Sequence, residues 1–253
     1  MYETILVEKR NHLAILTLNR PERLNAVNLQ LKKELSQALS ELEGDDNVRV
    51  MIITGAGRAF STGADMIDSS LSTEEGIECL LGFETEQKLL AFDKPVIAAI
   101  NGYALGAGLQ HALLCDIIIA SDKAILGFIG ARVGGMCFVA VWALPGIVGR
   151  NKASELLFTC DHISAEEAYR IGLVNKVVPH EQVMPAALEM AEKIMKSAPL
   201  SLRYTKRALR WGLLTDDIRQ SLKEGFLQIL TSDDLKEARQ AFAENREPVF
   251  RGK

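Results

Sequence analysis

The sequence has no paired cysteines. Cys79, Cys115, Cys137 and Cys160 stand far apart with no CxxC spacing, which reads as reduced core thiols in a cytosolic protein rather than a disulfide framework. It has no basic excess either. Lys and Arg total 29 against 33 Asp and Glu, a net charge of −4, so nothing in the whole-chain charge points to nucleic acid. The opening MYETILVEKR lacks the charged-then-apolar pattern of a secretion signal. The longest apolar run, Met136 to Val148, contains Pro145 and falls short of the roughly 18 residues that a membrane span needs. A soluble, cytoplasmic protein with no membrane span and no bound metal is the expectation. A dinucleotide fingerprint is also missing: Gly106-x-Gly108 follows a strand-like run, but His111 stands at the third glycine position. No sequence repeat of fixed period is present.

What is there begins with length and core. The chain has 253 residues, 48% hydrophobic and 25% charged, enough for one large domain or a domain with an appendage. The most informative stretch is Lys94 to Ala120, KPVIAAINGYALGAGLQHALLCDIIIA. Val96 to Ile100 is an apolar run of strand length. Asn101-Gly102 and Gly106-Ala107-Gly108 break it, and a helix from about Ala107 carries Leu109, Leu113 and Leu114 at helical spacing. Ile117 to Ile119 is a second buried-type strand. Small residues before a helix let a ligand approach the backbone, and the first-turn amides have no intrahelical partner. Such a turn can hold developing negative charge.

The rest of the chain follows the same punctuation. Thr4 to Val7 and Leu13 to Leu18 read as a hairpin, and Asn28 as the N-cap of a helix to about Leu42. A strand from Val48 to Thr54 leads to a second small-residue turn, Ala59-Phe60-Ser61-Thr62-Gly63-Ala64-Asp65-Met66. Glu74 to Phe92 reads as a helix, Met136 to Val148 as a buried helix, and Lys152 to Phe158 as another. Ser164 caps a short helix with Glu167 as capping-box partner. Beyond Glu181 the chain is helical, with breaks at Ala198-Pro199 and near Thr231-Ser232. Strand–strand–helix units followed by a helical tail make the chain α/β, or α+β with a helical extension. Taken alone, the two glycine-rich turns are equally well explained as tight packing.

Together, FSTGADM and KPVIAAINGYALGAGLQHALLCDIIIA resemble the crotonase superfamily, the enoyl-CoA hydratase/isomerase family. Asn19-Arg20-Pro21, Leu24-Asn25-Ala26, His162 to Ala168, Gly172-Leu173-Val174 and Phe250 extend the resemblance over nearly the whole chain. The resemblance implies a crotonase-like spiral of ββα units over residues 1–195 and a C-terminal helical oligomerisation region over 196–253, assembled as a homotrimer or a dimer of trimers. It implies an acyl-CoA substrate, with coenzyme A as the thioester carrier and no further cofactor. The family's oxyanion hole falls on the backbone amides of Ala64 and Ala107. Asp65, Met66 and Ile67 continue the turn that holds the CoA arm, and Ala26 matches a backbone contact to the adenine region. Asp65 has a plainer role as a cap.

The departures bear on the reaction. The two glutamates of family hydratases align with Gln110 and Gly130, and a related isomerase acid falls near Phe138. Glutamine can orient water or a substrate oxygen but exchanges no proton at neutral pH; glycine has no side chain to offer. Stand-ins are His111, which a helix turns about 100° from Gln110, Glu84 or Glu86 on the helix bordering the acyl pocket, and Arg132 as a contact for a substrate carboxylate. Cys137 reads as a core thiol and Asp116 as a turn residue. Arg203, Lys206, Arg207 and Arg210 share a helix face, a solvated face or a contact for CoA phosphates, with Phe250 and Arg251 a further candidate. The broad expectation is a hydratase or isomerase that stabilises a thioester enolate. The alternatives are a decarboxylase of a malonyl-type CoA and a non-catalytic acyl-CoA-binding paralogue.

Overall fold

The computed structural model describes residues 2–68, 70, 73–77, 83–211, 228, 232–244 and 246–252. Strands β1 (Ile5–Arg10) and β2 (Leu13–Leu18) pair antiparallel. They are joined through Asn11 and His12, both at positive φ, the backbone of a two-residue hairpin turn. Helix α1 (Leu29–Glu43) starts at Asn28, whose side chain accepts from the Leu31 amide at 3.0 Å. Its buried Leu31, Leu35, Leu39 and Leu42 form the stripe that the sequence spacing predicts.

Three strand pairs then repeat. β3 (Val50–Gly55) is followed by β4 (Ala59–Ser61), β5 (Val96–Ile100) by β6 (Tyr103–Leu105), and β7 (Ile117–Ser121) by β8 (Ile125–Gly127). With β9 (Ile163–Ser164) and β10 (Lys176–Val178), they form a six-stranded sheet in the order β1-β2-β3-β5-β7-β10 and a four-stranded sheet in the order β4-β6-β8-β9. The first strand of each pair lies in the large sheet and the second in the small one, which is a spiral of ββα turns. The strands β2, β3, β5 and β7 run parallel. β3 and β5 are buried at every position, as expected for parallel strands covered on both faces.

Among the described residues, the helices after α1 include α2 (Glu84–Ala91), α3 (Ala107–Leu113), α4 (Phe138–Val148), α5 (Arg150–Thr159), α6 (Ala165–Arg170), α7 (Val183–Met195), α8 (Pro199–Trp211) and α9 (Asp233–Ala243). The main core lies between the two sheets and α1, α3 and α4. A second core lies where Val183, Ala186, Ala187 and Ala191 of α7 cover the other face of the large sheet.

Four expectations need correction. The helix read as continuous from Glu74 to Phe92 is interrupted at Phe83, which has a left-handed φ of 49° and stands as the cap before Glu84; residues 78–82, with Cys79, lie outside the described residues. Ser164 accepts from the Glu167 amide at 3.2 Å, but the Glu167 carboxylate turns to Arg170 at 2.6 and 2.7 Å instead of closing a capping box. The helix expected to be buried, α4, leaves Phe138, Val141, Trp142 and Ile147 exposed. Its apolar composition is all-round, and this chain's core covers only the side bearing Val139, Ala140 and Leu144. The basic face of α8 is only partly solvated: Lys206 is buried, while the Arg203 and Arg207 side chains are 39% exposed. Lys206 Nζ donates to the Lys94 carbonyl at 2.7 Å and pairs with Asp116 at 2.5 Å, while Arg207 Nε donates to Asp93 at 2.9 Å. Arg203 lies 3.9 Å from Asp93, and the side chain of Arg210 lies outside the described residues. Arg49 donates to the Phe250 carbonyl, which ties the C-terminal segment to the same region.

Candidate active site

The two small-residue turns meet. The chain leaves β4 through Gly63, at φ 93°, and enters α3 through Gly106, at φ 51°. A Cβ on Gly63 would stand 3.0 Å from the Leu105 carbonyl oxygen and 3.1 Å from the Ala107 nitrogen. Only a glycine lets the first turn lie against the amide that opens the helix.

The Ala64 amide is aimed by its neighbours. Val27 and Ala64 form an isolated parallel bridge. The Val27 amide donates to the Gly63 carbonyl at 2.7 Å, and the Asp65 amide donates to the Val27 carbonyl at 2.8 Å. Since the flanking groups of Gly63 and Asp65 face Val27, the N–H of Ala64 faces the opposite side. Among the described residues, neither the Ala64 nor the Ala107 amide has a hydrogen-bond acceptor. Gly106 is held by its own amide on the Gly127 carbonyl at 2.9 Å, so the start of α3 is anchored without engaging Ala107.

Asp65 is the peg of the first turn. It is buried, and its Oδ1 accepts from the amides of Ile67 at 3.2 Å and Asp68 at 3.1 Å. Its Oδ2 lies 3.0 Å from the Arg20 guanidinium, which also donates to the Ala26 carbonyl at 2.5 Å. Burial works against the charge, but the two amides and Arg20 hold this carboxyl below the ordinary carboxylate range. No helix begins at Asp65, so the expected helix cap is not what its side chain makes: it closes a turn on the Ile67 and Asp68 amides. Met66 and Ile67 beside it are exposed. Ala26 is buried; its amide donates to the Arg23 carbonyl, and its carbonyl, already accepting from Arg20, keeps a second lone pair.

Gln110 and Gly130 are filled in by α4. The Gln110 Oε1 accepts from the Val139 amide at 2.8 Å, satisfying one of the orphan donors of that helix. A Cβ on Gly130 would stand 2.9 Å from Cys137 Sγ and 3.0 Å from the Cys137 nitrogen. The thiol therefore occupies the room into which a side chain at position 130 would grow. Cys137 is buried, and burial pushes its thiol up from the ordinary value although the Gly130 amide works the other way.

The remaining candidates separate. Arg132 is not at the site: its guanidinium donates to the Thr159 carbonyl at 2.5 Å and to Asp161 at 3.2 Å on an exposed surface. Glu84 pairs with Lys88 at 2.7 Å and is solvated. Glu86 is enclosed, with a side chain 14% exposed, and lies 3.1 Å from Lys32 and 3.4 Å from His111 Nε2. Burial disfavours its charge, yet His111 and Lys32 hold its carboxyl at about 2. His111 is buried, and its Nδ1 has no partner among the described residues. The partner of His111 is Glu86, whereas that of Gln110 is Val139. Glu86 also lines a cavity of about 320 Å³ with Phe83, Gln87, Leu90, Phe138, Val139 and Trp142. Asp116 accepts from the Val96 amide at 2.7 Å and fixes its turn.

Sequence reasoning passes over Val27, and it reads Cys137 as a core thiol without its relation to Gly130. Val27 aims the Ala64 amide but carries no side-chain signal, because only its backbone acts. Cys137 fills the space at Gly130 from seven residues away, a relation that no local pattern encodes.

The family model for enoyl-CoA hydratase/isomerase matches residues 8–253. The chain belongs to the enoyl-CoA hydratase/isomerase family of the crotonase superfamily. It is 39% identical over 251 residues to a short-chain-enoyl-CoA hydratase of Clostridium acetobutylicum, covering 96% of this chain and 95% of that one. It is 39% identical over 258 residues to a crotonyl-CoA hydratase of Syntrophomonas wolfei, covering 98% of each. The structure of an enoyl-CoA hydratase from Bacillus anthracis superposes with a TM-score of 0.93 at 34% identity, over 99% of this chain and all of that one. Among the described residues, no helix is long and apolar enough to cross a membrane.

Proposed function

We propose that this chain is an enzyme that binds an acyl-CoA and stabilises the thioester enolate between the backbone amides of Ala64 and Ala107, as a hydratase or isomerase of its family. The observation that carries the reading is the Val27 bridge: it turns the Ala64 amide away from its own strand partner, beside a turn whose Ala107 amide is also without an acceptor among the described residues. When an electron pair moves from the α-carbon into the carbonyl, the oxygen gains negative charge, and two fixed N–H donors oppose the rise in energy. Losing one such donor typically costs on the order of 3 kcal/mol of barrier. Met66, Ile67 and the free lone pair of the Ala26 carbonyl are suited to the CoA arm. The exposed apolar side of α4 supports assembly as a homotrimer or a dimer of trimers.

Decarboxylation of a malonyl-type CoA is a second reading, favoured by one observation. Gln110 and Gly130 carry no carboxylate, Gln110 is tied to Val139, and Cys137 takes the space beside Gly130 into which a side chain would grow. In decarboxylation the bond from the α-carbon to the carboxylate breaks, CO₂ leaves, and its electron pair becomes the enolate, which then takes a proton from water. No enzyme base is required, and Arg132, held by Asp161, is not the carboxylate contact.

The test is to incubate the protein with crotonyl-CoA, a 3-enoyl-CoA and methylmalonyl-CoA and to follow products by mass. Turnover of the first two supports hydration or isomerisation; turnover of the third supports decarboxylation. Binding without turnover overturns the enzyme reading in favour of an acyl-CoA-binding paralogue. Ala107→Pro removes the amide donor at a helix position that tolerates proline and is expected to lower turnover at least about 100-fold. Retained turnover would refute the placement of the hole.

A further inference from the structure

The aim of the Ala64 amide is set by groups that stand in line behind it. In a trans peptide unit the C=O and the N–H point in opposite directions. The Ala64 N–H therefore points away from the Gly63 carbonyl, which accepts from the Val27 amide at 2.7 Å. The Val27 N–H in turn points away from the Ala26 carbonyl, which accepts from the Arg20 guanidinium at 2.5 Å. Two peptide planes thus join the guanidinium to the Ala64 donor, end to end, so a rotation of the Ala26 carbonyl is passed to the Ala64 N–H. A charged donor at one end of such a chain also polarises it in the direction that strengthens the N–H at the other.

The segment that carries the first plane is strained. Leu24 and Asn25 are both left-handed, at φ 51° and 55°, and two such residues with side chains persist only where their surroundings over-determine them. Arg20 is part of those surroundings. Its amide donates to Asn25 Oδ1 at 2.8 Å, and its carbonyl accepts from the Asn25 amide at 2.9 Å. Its side chain is 12% exposed, and one terminal nitrogen lies 3.0 Å from Asp65 Oδ2 and 4.0 Å from Asp68 Oδ2. The other terminal nitrogen is the one on the Ala26 carbonyl. A rigid planar fork can serve two partners at once in this way. Asn25 is tied independently, through its side chain on the Ala56 and Ala59 carbonyls at 2.9 and 2.7 Å, so the turn does not depend on the guanidinium alone.

We infer that Arg20 is a positioning residue for the chemistry at the proposed hole: its guanidinium, on the Ala26 carbonyl, sets the direction and the strength of the Ala64 donor through the Val27–Gly63 hydrogen bond. It is not a catalytic residue, because it acts through two peptide units. The inference rests on the acyl-CoA reading above.

Infrared difference spectroscopy of bound butyryl-CoA, isotope-labelled at its carbonyl carbon, tests it. This ligand has no double bond to hydrate and no carboxylate to lose, so the readout is independent of turnover. In the wild type the bound carbonyl band should lie below that of the free ligand, because both donors draw charge onto the oxygen. Arg20→Met, which keeps bulk and removes every side-chain donor, should lose about half of that downshift, one of the two donors being misaimed. Its Kd should change less than about three-fold, since the contacts to the rest of the ligand remain. Gly172→Ala is the control for a merely structural effect. At φ 80°, with no atom nearer than 3.9 Å to the new Cβ, it should lower Tm and leave the band in place. Should Arg20→Met fail to fold because the buried Asp65 charge loses its partner, Arg20→Met combined with Asp65→Asn removes that charge and decides. A full downshift in the folded Arg20 variant, or an equal loss of downshift in Gly172→Ala, overturns the inference and leaves the acyl-CoA reading standing. Butyryl-CoA that binds the wild type without a downshift, or does not bind it, overturns both.

Discussion

Replacing Gly63 by alanine separates the contact between the two turns from ordinary loop stability. The new Cβ would stand 3.0 Å from the Leu105 carbonyl oxygen and 3.1 Å from the Ala107 nitrogen. Both neighbours are backbone atoms, so the two turns must part by a few tenths of an ångström. The backbone itself, at φ 93°, adds strain of about 1–2 kcal/mol for a residue with a side chain. Strain and crowding together should cost about 2–3 kcal/mol. In a chain of this size that lowers Tm by roughly 4–12 °C. The effect on chemistry should be larger than the effect on stability. Catalytic groups tolerate misplacement of only about 0.5 Å, and donors to the oxyanion act in the transition state, so kcat should fall about ten- to 100-fold with little change in KM. Gly172→Ala supplies the control. Its φ is 80° and the nearest atom to a new Cβ is 3.9 Å away, so it should lower Tm without touching kcat. The assay is thermal denaturation and steady-state turnover of whichever acyl-CoA the wild type converts. If Gly63→Ala loses stability and keeps its kcat, the close contact of the turns is not what positions the donors, and the site is misplaced.

Further predictions concern the rest of the site. Gly130→Glu should destabilise the fold by about 1–3 kcal/mol without conferring hydration, because its Cβ meets Cys137 Sγ at 2.9 Å; Cys137→Gly in the same chain should recover part of the loss in a denaturant titration. The Glu86 carboxyl is held at about 2 in the folded chain against 4.5 in its ordinary state. A depressed carboxyl stabilises the fold above the unfolded value, so this contribution should be full above about pH 5 and disappear as pH falls from 4.5 towards 2. Its size is at most about 3 kcal/mol, and Glu86→Gln should flatten the stability profile in that window; an unchanged slope would refute the assignment.

Much of the fold was legible. The Asn28 cap, the stripe of α1, the buried strands β3, β5 and β7 and the two small-residue turns all follow from residues close together in sequence. So does the family, because FSTGADM and NGYALGAGLQ carry backbone requirements that few other residues meet. The break at Phe83 and the exposed side of α4 were not legible. An apolar run shows how much surface must be covered, and it is silent on whether this chain or another covers it. On the basic face of α8 only the burial of Lys206 was not legible, since its partners Lys94 and Asp116 lie roughly a hundred residues away.

The sequence by itself determined that two glycine-rich turns exist and that positions 110 and 130 bear no carboxylate, because conformational freedom and side-chain chemistry are local properties. Only the tertiary structure decided that Val27 aims the Ala64 amide, that Gln110 caps α4, that Cys137 fills the room beside Gly130, and that Glu86 reaches the cavity with Lys32 and His111 behind it. Those are contacts between segments brought together by packing, and packing depends on the three-dimensional path of the chain rather than on the spacing of residues along it.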